Sequence, residues 1–239
     1  MRRAVFSLAL GLCALTGSAE AGSSLPSSIP GITIGNSHVV LRGNGKGTLV
    51  RGSAPTGKVA ELTKLRVTDV VIFKNATGQE VVTELAQLRQ AGYRAASISH
   101  IPFAWKDLPP FRTSCGQVVD ALATLDRVYH TPGRTAFFHC TVGEDRTGLL
   151  AGLVRLLETG ETVAQVFQRE LCARGYEAGN PHKPPMVVNQ VRAGLTPLFL
   201  KMATLIKAGK LKPGALSKTV CARDPGMGSL NPASFLCPR

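Results

Sequence analysis

The chain has 239 residues, 44% of them hydrophobic, and a formal net charge of +13. That is enough apolar material for one well-filled core and too little for two, so one folded domain is expected. Aromatic residues make up only 5% and the Lys and Arg are spread rather than blocked, which argues for acidic partners handled in a cleft and against a nucleic-acid platform.

Arg2 and Arg3, an apolar run over 4–15 and then Ala19-Glu20-Ala21 form the pattern of a cleaved secretory signal peptide, residues 1–21. The run is too short for a permanent span, and no later stretch approaches ~20 consecutive apolar residues, so no stable membrane anchor is expected. Cys13 follows Leu12, which does not suit lipoprotein cleavage. A secreted or periplasmic location follows. Of six cysteines, five lie beyond residue 21: Cys115, Cys140, Cys172, Cys221 and Cys237. In an oxidising compartment an odd count implies two bridges and one free thiol, for which Cys140 is the candidate. Cys221 with Cys237 is the favoured pair, clipping a polar tail over 210–239, and Cys115 with Cys172 would be the second. Buried thiols at 115 and 172 are the alternative.

Residues 22–35, rich in Ser, Pro and Gly, read as an irregular arm before a domain over 36–209. Short β-prone pieces at 38–41 and 48–50 flank the turn Gly43-Asn44-Gly45 and predict a hairpin or two edge strands. A helix is plausible over 58–65. The run 67–73 is apolar on both faces and reads as a buried parallel strand. Val81, Leu85 and Leu88 give residues 80–90 helical spacing, with Gly92 as the stop. A short strand is expected over 93–98, a loop with the only Trp over 100–111, and an amphipathic helix over 118–129. The turn Pro132-Gly133 then leads into a strand over 135–139. Helices follow over 146–158, 162–174 and 186–207, the last bent near Pro197. Strands alternating with helices predict an α/β fold with a central, mostly parallel sheet flanked by helices.

The strand 135–139 runs into Cys140, five residues intervene, and Arg146-Thr147 opens a helix. This order builds an oxyanion cradle. Amides of Thr141, Val142, Gly143, Glu144, Asp145 and Arg146 point inward, the helix dipole adds partial positive charge, and the Arg146 guanidinium grips two oxygens. The same groups stabilise a thiolate at Cys140.

His139-Cys140, the five-residue gap, Arg146 and Thr147 together resemble the His-Cys-x5-Arg-Ser/Thr signature of the protein-tyrosine and dual-specificity phosphatase superfamily. Arg51-Gly52-Ser53-Ala54-Pro55 resembles the Arg-Ser-x-x-Pro segment of its bacterial and plant-type members. The resemblance implies a dual-specificity phosphatase-like fold and metal-independent phosphomonoester hydrolysis without a cofactor. Cys140 would be the nucleophile, Arg146 would hold the phosphate, Thr147 would donate to the sulfur and His139 would brace the loop. The general acid stays open: Asp107 sits in a Trp- and Pro-bearing loop similar to the family's acid loop, Asp145 matches a subgroup whose acid precedes the Arg, and Glu144 is a third possibility. Basic residues near these motifs, Arg51, Lys74, Lys106, His182 and Lys183, suit a highly phosphorylated substrate. An inositol polyphosphate, as for the phosphatase-like phytases of bacteria, and a phosphotyrosine or phosphoprotein are the two substrate readings, with phosphate, sulfate or vanadate as loop ligands. A rhodanese-like sulfurtransferase and an inactive phosphate-binding module are the alternatives.

Overall fold

The computed structural model describes residues 25–177 and 183–238, so the expected signal peptide and His182 lie outside the described residues. Five strands form one sheet in the order β1-β2-β5-β3-β4. β1 (His38–Arg42) and β2 (Thr48–Gly52) make the antiparallel edge hairpin. β2 then runs parallel to β5 (Thr135–His139), which pairs in parallel with β3 (Asp69–Phe73), itself parallel to β4 (Ile98–Ile101). β5 is therefore the central strand, and Cys140 leaves its carboxyl end, where ligands bind in open parallel sheets.

Helices cover both faces. α1 (Val59–Lys64) and α2 (Glu80–Gln90) close a smaller core of Val50, Leu62, Val70, Ile72, Leu88 and Phe137. α3 (Phe111–Tyr129), α4 (Asp145–Thr159), α6 (Pro185–Ala193) and α7 (Leu195–Lys207) build the larger core on the other face. Among the described residues, no helix is long and apolar enough to cross a membrane.

Four local expectations are corrected by the structure. The strand expected over 93–98 begins only at Ile98, because Tyr93 N–H caps α2 by donating to the Leu88 carbonyl and Ala95–Ser97 forms a 3-10 turn. The helix expected from 118 starts at Phe111, directly after Pro110, whose fixed φ suits a helix start; the polar residues of its first two turns conceal the period. The bend expected at Pro197 falls at Gly194, the junction of α6 and α7. Pro197 lies in the first turn of α7, where its missing N–H has no intrahelical partner to lose. Residues 162–174 form three pieces rather than one helix: α5 (Val163–Val166), a π-helical turn (Phe167–Leu171) and a 3-10 turn (Cys172–Arg174).

The cysteines also pair differently. The bridges are Cys115–Cys221 and Cys172–Cys237, with Cys140 free. Each ties the tail to the helical layer instead of to itself: the 3-10 turn Lys218–Ala222 packs on α3, and Phe235 meets the Phe167 ring edge-on at 5.3 Å. The arm is likewise anchored, since Ile34 is buried and Thr33 donates from N–H and Oγ1 to Glu61 at 2.6 Å each. The bridges span 106 and 65 residues. In the loop-entropy account each such closure contributes about 4 kcal/mol. Replacing Cys172 and Cys237 together by Ser is therefore expected to lower unfolding free energy by about that amount in urea, and an unchanged midpoint would show the tail to be unattached.

Candidate active site

The loop after β5 is shaped from behind. Gly143 adopts φ +73°, and a Cβ there would lie 2.5 Å from the Gly52 carbonyl, so no other residue fits at this approach to β2. The Gly143 carbonyl is turned outward by two donors, Asn36 Nδ2 at 2.8 Å and Arg51 Nη2 at 2.7 Å, and Arg51 reaches the Glu144 carbonyl at 3.3 Å. With those carbonyls held on the outside, the amides of the same peptides face the cradle. Arg51 is 0% exposed and also donates to the Glu170 carbonyl. Burial pulls its guanidinium down to about 10, opposed by Glu170, so it remains charged at neutral pH.

Glu170 anchors this brace from the π-helical turn. Its carboxylate accepts His38 Nε2 at 3.0 Å and lies 3.8 Å from Arg51 and 3.7 Å from Arg155. Burial alone would raise the Glu170 carboxyl, but His38 and the two guanidinium groups bring it below its ordinary value. His38 is lowered by burial against the pull of Glu170, which leaves a neutral ring donating one N–H.

Cys140 sits at the bottom of the cradle, 2% exposed, over the start of α4. Burial pushes its thiol up, yet Arg146 and the hydroxyl and amide of Thr147 outweigh burial, and the thiol falls below its ordinary value. Thr147 is spanned by both ends of the turn: its Oγ1 accepts the Cys140 N–H at 2.7 Å while its hydroxyl faces the sulfur. Arg146 is oriented by the Phe103 carbonyl at 3.0 Å, Asn75 Oδ1 at 3.2 Å and Thr141 Oγ1 at 3.3 Å. Loops after β3 and β4 thus aim a side chain that starts from α4. His139 Nδ1 donates to the Cys140 carbonyl at 2.8 Å, and its Nε2 is 2.7 Å from Oε1 of Glu84 on α2.

The two acid candidates differ in environment. Asp145 Oδ1 accepts the Glu177 N–H at 2.9 Å and the Lys183 ammonium at 2.7 Å. Asp107 is exposed at φ +49° and makes no hydrogen bond or ion pair among the described residues. Lys183 also lies 3.2 Å from Glu144 and donates to the Gly175 carbonyl at 2.6 Å, so one ammonium is shared between the two carboxylates of the loop.

Of the other residues expected to touch substrate, Arg51 does not reach the open side of the site, because it is enclosed beneath the loop. Lys74 is buried at the end of β3, with 1% exposed, and its carbonyl accepts His100 Nε2 at 2.9 Å. Lys106 is exposed beside Asp107, its ammonium 5.9 Å from the Trp105 ring centre. Sequence reasoning missed Asn36, Asn75 and Glu84, whose side chains reach residues 143, 146 and 139 across 107, 71 and 55 residues of chain, and Glu170, which acts on the loop through Arg51. Only Glu84 carried a signal: a charged residue on the apolar stripe of Val81, Leu85 and Leu88.

Asp126, His130 and Glu158 bring one ligand atom each within 4.8 Å of one another, the only such trio among the described residues. They lie at the far ends of α3 and α4, about 13 residues or ~20 Å of helix from the cradle. Lys46 stands 3.4 Å from Glu158 there, and the group takes no part in the site.

Residues 53–165 match the model of the tyrosine phosphatase family. Among solved structures, the chain is similar to the core catalytic domain of the PP-IP phosphatase SIW14 from S. cerevisiae, solved with citrate. The two are 17% identical over 67% of this chain and 85% of that one, with a TM-score of 0.45. It is also similar to P. aeruginosa TpbA, 24% identical over 65% and 86% of the two chains with a TM-score of 0.42. A third is human DUSP28, 15% identical over 68% and 90% with a TM-score of 0.41. No curated protein matches the chain. The cradle itself makes a direct prediction. Alkylation of Cys140 by iodoacetamide is expected to half-rise below the ordinary thiol value of about 8.5. Arg146→Met is expected to move that midpoint upward, and an unmoved midpoint would show that the guanidinium does not stabilise the thiolate.

Proposed function

We propose that the chain, whose residues 53–165 match the tyrosine phosphatase family, is a phosphatase of the protein-tyrosine and dual-specificity type that works outside the cytoplasm through a phosphocysteine intermediate. The observation that carries the reading is one buried free thiol, lowered by Arg146 and Thr147, at the start of α4.

In the first step Cys140 Sγ attacks phosphorus, the S–P bond forms and the P–O ester bond breaks. Arg146 and the loop amides take up the charge on the equatorial oxygens, so the protein supplies the positive charge itself. Asp107 gives its proton to the leaving oxygen. That role falls to it because Asp145 is already held by a backbone N–H and by Lys183. In the second step water attacks phosphorus, Asp107 takes the water's proton, and the Thr147 hydroxyl stabilises the departing sulfur.

The substrate reading follows from the loop's charge. A carboxylate at Glu144 beside a phosphate site repels polyanions unless a cation offsets it, and Lys183, shared with Asp145, offsets part of that charge. An inositol polyphosphate is therefore the first reading and a phosphotyrosine or phosphoprotein the second, separated by which is turned over faster. Export is supported by the two disulfides, which persist in oxidising compartments, together with the N-terminal pattern over residues 1–21.

The test is phosphate release from inositol hexakisphosphate, a phosphotyrosine peptide and a phosphoserine peptide. Cys140→Ser is expected to abolish turnover, and Asp107→Asn to lower it by about a hundredfold or more with poor leaving groups. Thiocyanate release from thiosulfate and cyanide would instead identify a sulfurtransferase, and tight phosphate binding with no turnover a binding module. Loss of activity in Asp145→Asn with Asp107→Asn intact would transfer the acid role.

A further inference from the structure

Glu84 is a fully enclosed carboxylate behind the site that the mechanism above does not use. It is 0% exposed on α2, neither of its oxygens accepts a hydrogen bond, and Oε1 lies 2.7 Å from His139 Nε2, itself 0% exposed. The contact is ionic rather than an aligned hydrogen bond. A carboxylate taken out of water with no donor is tolerated only beside a compensating charge or in its neutral form.

The other side of the ring limits the choice. Nδ1 faces the Cys140 carbonyl at 2.8 Å, an acceptor, so Nδ1 carries a hydrogen. A neutral ring would then present the bare lone pair of Nε2 to a carboxylate oxygen, two electron-rich atoms at 2.7 Å. One proton between the two atoms turns the same contact into an attraction: on Oε1 it makes Glu84 a neutral acid donating to Nε2, and on Nε2 it makes the ring an imidazolium facing a carboxylate. The surrounding elements make the ring's charge depend on Glu84. Arg51 and Gly52 come from β2, Lys74 follows β3, Arg146 comes from α4, and the other acid on α2, Glu80, is half-buried and bonded to Thr77. Arg51 pairs with Phe138 and so points to the other face of the sheet from His139, which pairs with Gly52, leaving Glu84 as the charged group in contact with the ring.

We propose that Glu84 is a positioning residue of the active site: it holds His139 as the doubly protonated imidazolium, fixed against the Cys140 carbonyl, and so adds positive potential directly behind the thiolate. The ring's positive charge then assists Arg146 and Thr147 in keeping sulfur ionised, as a cationic neighbour does for other reactive cysteines. Glu84 touches no reacting atom and acts only through the ring.

The inference rests on the phosphatase reading only in giving the thiolate a purpose, and its test uses no substrate, so the two fail separately. The first arm measures iodoacetamide alkylation of Cys140 against pH. Glu84→Gln keeps size and removes charge, and is expected to move the midpoint upward by about one pH unit, or roughly tenfold less thiolate on the acidic limb. In a His139→Asn background the same substitution is expected to have no further effect. An unmoved midpoint in Glu84→Gln, or an undiminished shift in the His139→Asn background, overturns the proposal. The second arm needs no variant to fold: the ring nitrogens of His139 in the wild-type protein are read by NMR at pH 7. Both protonated is the expected result, and one bare nitrogen overturns the proposal.

Discussion

The site depends on the direction in which two peptide groups are turned. A short loop between a strand and a helix has as many carbonyls as amides, and it binds an anion only if the carbonyls are taken up elsewhere. Here Arg51 and Asn36 hold the carbonyls of residues 143 and 144 on the outside of the turn. The inward amides and the place for a phosphate follow from that orientation, while the lowered thiol comes from Arg146 and Thr147. Gly143 makes the turn close enough to β2 for the brace to reach.

The brace is ionic and buried, which commits the rest of the fold to neutralising it. Arg51 carries its charge under the loop because Glu170 lies beside it, and Glu170 remains a carboxylate because His38, Arg51 and Arg155 surround it. The π-helical turn Phe167–Leu171 bears both Glu170 groups that face Arg51, its carbonyl and its carboxylate. Such turns occur often at functional sites, and here it underlies the loop. On the other flank, Lys183 closes a second ionic group with Asp145 and Glu144.

Much of this was legible in the sequence where the signal is local. The strand 135–139, the helix 80–90 and the sequence His139-Cys140 to Arg146-Thr147 each depend on neighbours a few residues apart, and each stands where the pattern placed it. The disulfide pairing was not legible, because spacing along the chain does not encode which helix the tail will cross. Arg51 was misread as a substrate contact for a related reason. Its position in the motif was visible, but whether its guanidinium points to the open cleft or beneath the loop depends on Glu170, which lies 119 residues away. Asn36 and Asn75 are ordinary loop residues until the fold brings them to residues 143 and 146.

The most direct measurement is titration of orthovanadate into the 15N-labelled protein, following the backbone amides of residues 141–146, beside the same titration of Arg51→Met. The account predicts large downfield shifts of these amides in the wild-type protein and their loss when the brace is removed, while the rest of the spectrum stays folded. Vanadate that leaves these amides unmoved, or that binds Arg51→Met as tightly as the parent, would contradict it.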